Sequence, residues 1–97
     1  MTMRASAWRP HSSGSLQGFF NLRLASGLRI NDMTLHQKGA SRWCGLPAKP
    51  LLDSDGRHKV GDNGKKAYVK ILDFVDRDVR DQFTAEALAA VDRMLGR

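Results

Sequence analysis

From Leu16 onward, apolar and polar positions alternate with a period of two. Leu16, Gly18, Phe20, Leu22 and Leu24 share one face, and Gln17, Phe19, Asn21, Arg23 and Ala25 share the other. That alternation predicts a half-buried strand. Ser26-Gly27 supplies a tight turn, and a second strand starts at Leu28-Arg29-Ile30. Met33 and Leu35 continue its apolar positions one residue out of phase, which predicts a β-bulge at Asn31-Asp32. Lys38-Gly39-Ala40 turns the chain again, and Ser41 to Leu46 form a third strand. Pro47 has no N–H to give a ladder, so that strand stops there.

Residues 53–66 are rich in turn formers and basic side chains, and they predict a mobile loop. Ala67, Val69 and Ile71 then alternate with Lys66, Tyr68 and Lys70, giving a fourth strand that ends near Phe74. Beyond it, Val75, Val79, Phe83, Ala87, Val91 and Met94/Leu95 recur at spacings of three and four. This predicts a helix from about Asp76 to Leu95, with a break near Thr84 where a second segment would be capped. Gly96 suits its stop. The expected fold class is α+β, a four-stranded, mostly antiparallel meander with a C-terminal helix on one face. Residues 1–15 show no period, and only Trp8 would anchor them, so they read as a flexible basic arm before a single domain spanning 16–95. The arm is basic, acid-free and Ser-containing, a composition shared with organellar transit peptides, but a flexible arm is the simpler reading.

At 97 residues the chain makes one domain. A domain of that size buries roughly 60–65% of its unfolded surface, so its core is modest and a partner subunit would help. No apolar run is long enough to span a membrane. The single cysteine, Cys44, rules out an internal disulfide, suits a reducing cytosol and reads as a buried, inert thiol. Charge is unevenly distributed. Residues 1–60 hold nine basic side chains against three acids, whereas residues 73–92 hold six acids against two arginines. A basic first half facing a locally acidic C-terminal element predicts one surface for polyanions.

The chemistry of catalysis is missing from this pattern. His11, His36 and His58 are far apart in sequence, Asp53-Ser54-Asp55-Gly56 lacks the later ligands of a calcium loop, and there is no glycine-rich phosphate cradle. The expectation is a non-enzyme without cofactor or metal. Binding is better served. The sheet face opposite the helix would carry Phe19, Asn21 and Arg23 beside Lys66, Tyr68 and Lys70, with Arg29 and Arg42 among the candidates and Lys38 at the rim. Lys49, set between Pro47 and Pro50, would be presented from a stiff, extended segment. Cations interleaved with Phe19 and Tyr68 would neutralise phosphates and stack bases. The competing expectation is an accessory module of phage or plasmid type whose sheet edge captures a protein by strand addition.

Leu28-Arg29-Ile30-Asn31-Asp32-Met33, then Leu46-Pro47-Ala48-Lys49, then Asp55-Gly56 and a closing helical segment ending in Ala90-Val91 follow one another in order. In this the chain resembles the SpoVG (stage V sporulation protein G, septation regulator) family over roughly residues 15–95. The resemblance implies a small cytoplasmic bacterial regulator that contacts DNA or RNA and forms a homodimer through a shared sheet edge. It also implies a nucleic-acid contact at Lys49, from the family's Pro-Ser/Ala-Lys element. Pro50 stands where the family carries a second basic residue, the 57–66 loop is longer, and Asp73-Phe74-Val75-Asp76-Arg77 replaces a His-Pro-containing segment.

Overall fold

The computed structural model describes residues 3–61 and 64–97. Four strands, β1 (Arg4–Ser13), β2 (Leu16–Arg23), β3 (Arg29–Lys38) and β4 (Ser41–Gly45), pair in the order β1-β2-β3-β4, each antiparallel to its neighbour. A short ribbon of β5 (Ala48–Pro50) and β6 (Tyr68–Lys70) forms a second sheet, and α1 (Arg77–Leu95) closes the chain. The class is the expected one, an α+β meander with one C-terminal helix.

Alternation on β2 does what its sequence requires. Gly18, Phe20 and Leu22 are buried on one face, joined there by Met33 and Leu35 of β3 and Ala5 of β1. Onto this face α1 lays Ala87, Ala90 and Val91, spaced three and one apart so that all three meet the sheet. Phe20, Leu22, Met33 and Val91 are the largest fully buried side chains, each contributing about 1.5–3 kcal/mol by leaving water. The bulge foreseen at Asn31-Asp32 is present. The β2–β3 register shifts between Phe20 and Leu22, and Asp32 sits in the left-handed region with φ 61°. That extra residue brings Ile30 and Met33 onto the same face.

Two expectations about which segments build the sheet need correction. Of the segment 1–15 expected as a flexible arm, residues 1–2 lie outside the described residues and Arg4–Ser13 is the first strand. Its pattern escaped notice because two irregularities interrupt its pairing, between Ser6 and Arg9 and between Pro10 and Ser13, and Ala7 takes a left-handed φ of 56°. Trp8 is the anchor. Its ring lies over Gly18, where a Cβ would stand 2.6 Å from the indole, so only glycine leaves room for it. The second correction concerns the strand expected at 67–74. It is reduced to Tyr68–Lys70 and leaves the main sheet to pair with β5, the segment that follows Pro47. Val69 and Ile71, read as inward-facing, are exposed.

The turn-rich segment 53–66 is folded back on itself where it is described. Leu52 bridges His58, Val60 bridges Lys66, and Asp53 Oδ1 accepts the amide N–H groups of Asp55 and Arg57 at 2.9 Å each. The part of that segment at Asp62-Asn63 lies outside the described residues. The helix is continuous through Thr84 rather than broken there. Asp76 caps its start, accepting the N–H of Val79 at 2.8 Å, and Gly96 ends it at φ 75°, a conformation other residues adopt only with strain.

Because β1 supplies Ala5 and Trp8 to the core, deleting residues 1–13 should lower the thermal midpoint by at least ~15 °C, or abolish cooperative melting. Circular dichroism melts of the full and shortened chains check this, and an unchanged midpoint would show that the strand is dispensable.

Candidate nucleic-acid interface

With α1 on one face of the sheet, the other face carries the remaining side chains of each strand. On β2 these are Phe19, Asn21 and Arg23, out of phase with the buried Gly18, Phe20 and Leu22. The register then aligns cations across three strands. Arg4 of β1 lies opposite Arg23, and Arg23 lies opposite Arg29 of β3. All three are exposed, and none forms an ion pair or side-chain hydrogen bond with any described residue. Like charges set directly across neighbouring strands repel, at a cost on the order of 0.2–1 kcal/mol per pair, and a bound anion removes that cost.

About 13 Å further along β2, the same face becomes aromatic. Phe19 lies 6.0 Å from the His11 ring, and His36 stacks on Trp43 at 5.4 Å with the rings 3° from parallel. Both nitrogens of His36 are engaged, Nδ1 with Ser15 Oγ and Nε2 with Thr34 Oγ1, each at 3.0 Å. Burial pushes the pKa of this imidazole below its ordinary value, so it is neutral at pH 7. Between cations and aromatics lies Arg9, which donates to Asp32 at 2.8 Å and to Asn21 Oδ1 at 3.4 Å.

The ribbon folds over this face. Tyr68 enters from β6, and together with Phe19, Leu16, Thr34, His36 and the Leu46-Pro47-Ala48 stretch it lines a cavity of about 460 Å³. The Tyr68 ring is held by an edge contact from His58 at 4.9 Å, and His58 Nε2 donates to the Ala67 carbonyl at 2.9 Å. Phe19 and Tyr68, expected on one sheet, belong to different sheets and meet as walls of one cavity.

The other candidates separate from it. Arg42 lies on the helix side, where both guanidinium nitrogens reach the Asp92 carboxylate at 2.8 and 3.0 Å. The hydrogen bond from Arg42 holds the Asp92 carboxyl below the usual carboxylate range and raises the Arg42 pKa in turn. Arg42 is thus a strut between β4 and α1 and not part of the open face. Lys49 is exposed on β5 opposite Val69, and alternation turns it away from the side on which Tyr68 and Lys70 face the clefts. Lys70 lines an adjoining cleft of about 920 Å³, which shares Tyr68 with the first, together with Arg77, Arg80, Asp73 and Asp76, where Asp73 stands 3.9 Å from its ammonium. Lys66 is exposed on the ribbon opposite Val60. Cys44 faces the helix, and burial raises its thiol to about 11, which keeps it protonated at neutral pH.

Sequence reading missed Arg4, Arg9, Trp43 and His36. The first two lay in the segment taken for an arm, and the stack of His36 on Trp43 depends on the β3–β4 register. No protein-family model, no curated protein and no solved structure matches this chain. Among the described residues no helix is long and apolar enough to cross a membrane.

His36 titrates with a sign the structure dictates. Its imidazolium is disfavoured when folded, so its contribution to stability is complete above the ordinary value near 6.5 and is lost as pH falls below it. Urea midpoints should drop between pH 7 and pH 5, and His36→Gln should flatten that dependence; an equal drop in the variant would assign the effect elsewhere.

Proposed function

We propose that this protein binds nucleic acid through the outer face of its four-stranded sheet. The observation that carries the reading is the cross-strand row Arg4–Arg23–Arg29, three exposed cations with no ion-pair partner among the described residues. Phosphates in the row would release counterions, and the neighbouring aromatics offer stacking surfaces. The resemblance to the SpoVG family supports the same reading, that of a small regulator acting in the cytoplasm. Lys49 remains an outlying contact in this scheme, reached only by a strand that continues past the ribbon.

The homodimer belongs to the same proposal, but the free edge of β1 supports it poorly. That edge is broken by two register irregularities and by Pro10, features that discourage strand addition. What supports a second copy is the apolar set Val69, Ile71, Val75 and Val79, of which Val75 is 89% exposed. This set joins a ribbon region (residues 48–70) with six basic and three acidic side chains to a helix start (residues 73–86) with five acidic and two basic ones. Ribbon against helix start, twice over, is a self-complementary contact of the kind a two-fold dimer requires. Light scattering should report a dimer, and Val75→Asp with Val79→Asp should give a folded monomer. A monomeric wild type would end this part of the proposal.

Titration of labelled oligonucleotides at several salt concentrations tests the interface itself. With three phosphates engaged, the log–log slope of affinity on salt should be about −2 to −3. Arg23→Glu should weaken binding at least ten-fold and flatten the slope, whereas Arg42→Ala should lower stability by ~1 kcal/mol and leave affinity nearly unchanged. Binding that ignores Arg23→Glu would remove the arginine row from the interface.

A further inference from the structure

We propose that the interface selects single-stranded nucleic acid and takes one unpaired base between Phe19 and Tyr68; this rests on the nucleic-acid reading above. The cavity they line, about 460 Å³, falls in the size range of small-molecule sites and accommodates a nucleobase. Its walls are aromatic or apolar at Phe19, Tyr68, His36, Leu16 and Leu46, which suits the flat face of a base.

Two features decide between base and phosphate as the occupant. Asp32 is the carboxylate lining the cavity, and it is already tied to Arg9 at 2.8 Å, so an anion entering there meets a negative group whose cation is engaged. Phosphates go instead to the arginine row, which lies on the same face at the far end of β2. A strand running along β2 thus has its backbone at Arg23 and Arg29 and a base beside Phe19. The ribbon residues Ala48 and Tyr68 line the cavity facing Phe19, and a base still paired and stacked in a duplex does not offer its flat face to them. His58 at the edge of Tyr68 holds that ring in place before any ligand arrives.

The experiment uses fluorescence anisotropy with a labelled 12-nucleotide single strand, in DNA and RNA forms, and a hairpin duplex of the same sequence. A fourth probe is the single strand with its central bases replaced by abasic sites, which keeps the phosphates. The proteins are the wild type, Tyr68→Ala and Arg23→Glu; Tyr68 is more than half exposed, and thermal melts verify that its variant folds. The single strand should bind at least ten-fold tighter than the duplex. Tyr68→Ala should remove that preference without weakening the duplex, and the abasic strand should bind the wild type as the intact strand binds Tyr68→Ala. Equal affinity for strand and duplex, or full affinity for the abasic strand, would overturn base insertion. In that case a remaining loss in Arg23→Glu would preserve the broader interface, while failure of every probe to bind would overturn both.

Discussion

A single helix covers a single face of the sheet, and the contact that holds it there is the packing of Phe20, Leu22, Met33 and Leu35 against Ala87, Ala90 and Val91. Strand side chains alternate, so committing these positions to the helix sends Phe19, Asn21, Arg23, Arg29 and Thr34 to the opposite side. The open face is therefore a consequence of the core. The bulge at Asp32 keeps the arrangement consistent along β3, because without the added residue either Ile30 or Met33 would point outward.

The second constraint is Pro47. It ends pairing after β4 and redirects the chain into a ribbon that folds back as its own small sheet. That redirection distributes the cations. Lysines of the ribbon are separated from arginines of the main sheet, while Tyr68 is carried over the outer face to meet Phe19. The exposed apolar residues concentrate where the ribbon passes into the helix, since α1 fully buries Ala87, Ala90 and Val91 in its second half and only half-buries Phe83 in its first.

The protein also sorts its basic residues by pairing them. Arg42 is bound by two hydrogen bonds to Asp92 and Arg9 is held by Asp32, so both act in shaping the fold. Arg4, Arg23 and Arg29 have no such partner among the described residues, and their adjacency concentrates positive potential at one end of the sheet. Net charge alone did not distinguish these roles.

Local pattern determined a good deal: the alternation of β2, the bulge at Asp32, the turns at Ser26-Gly27 and Gly39-Ala40, the helix stop at Gly96, and the α+β class that follows from them. These are set by residues within a few positions of one another, where period and turn chemistry act directly. What only the tertiary structure decided was pairing over distance. A strand made irregular at Ala7 gains its place through Trp8 filling the space above Gly18, and Arg42 finds Asp92 fifty positions away. The arginine row exists because three strands share a register, and the cavity exists because a ribbon bends over it. Neither has a signature in sequence, because cross-strand neighbours are fixed by the packing of the whole sheet and not by the spacing of residues along the chain.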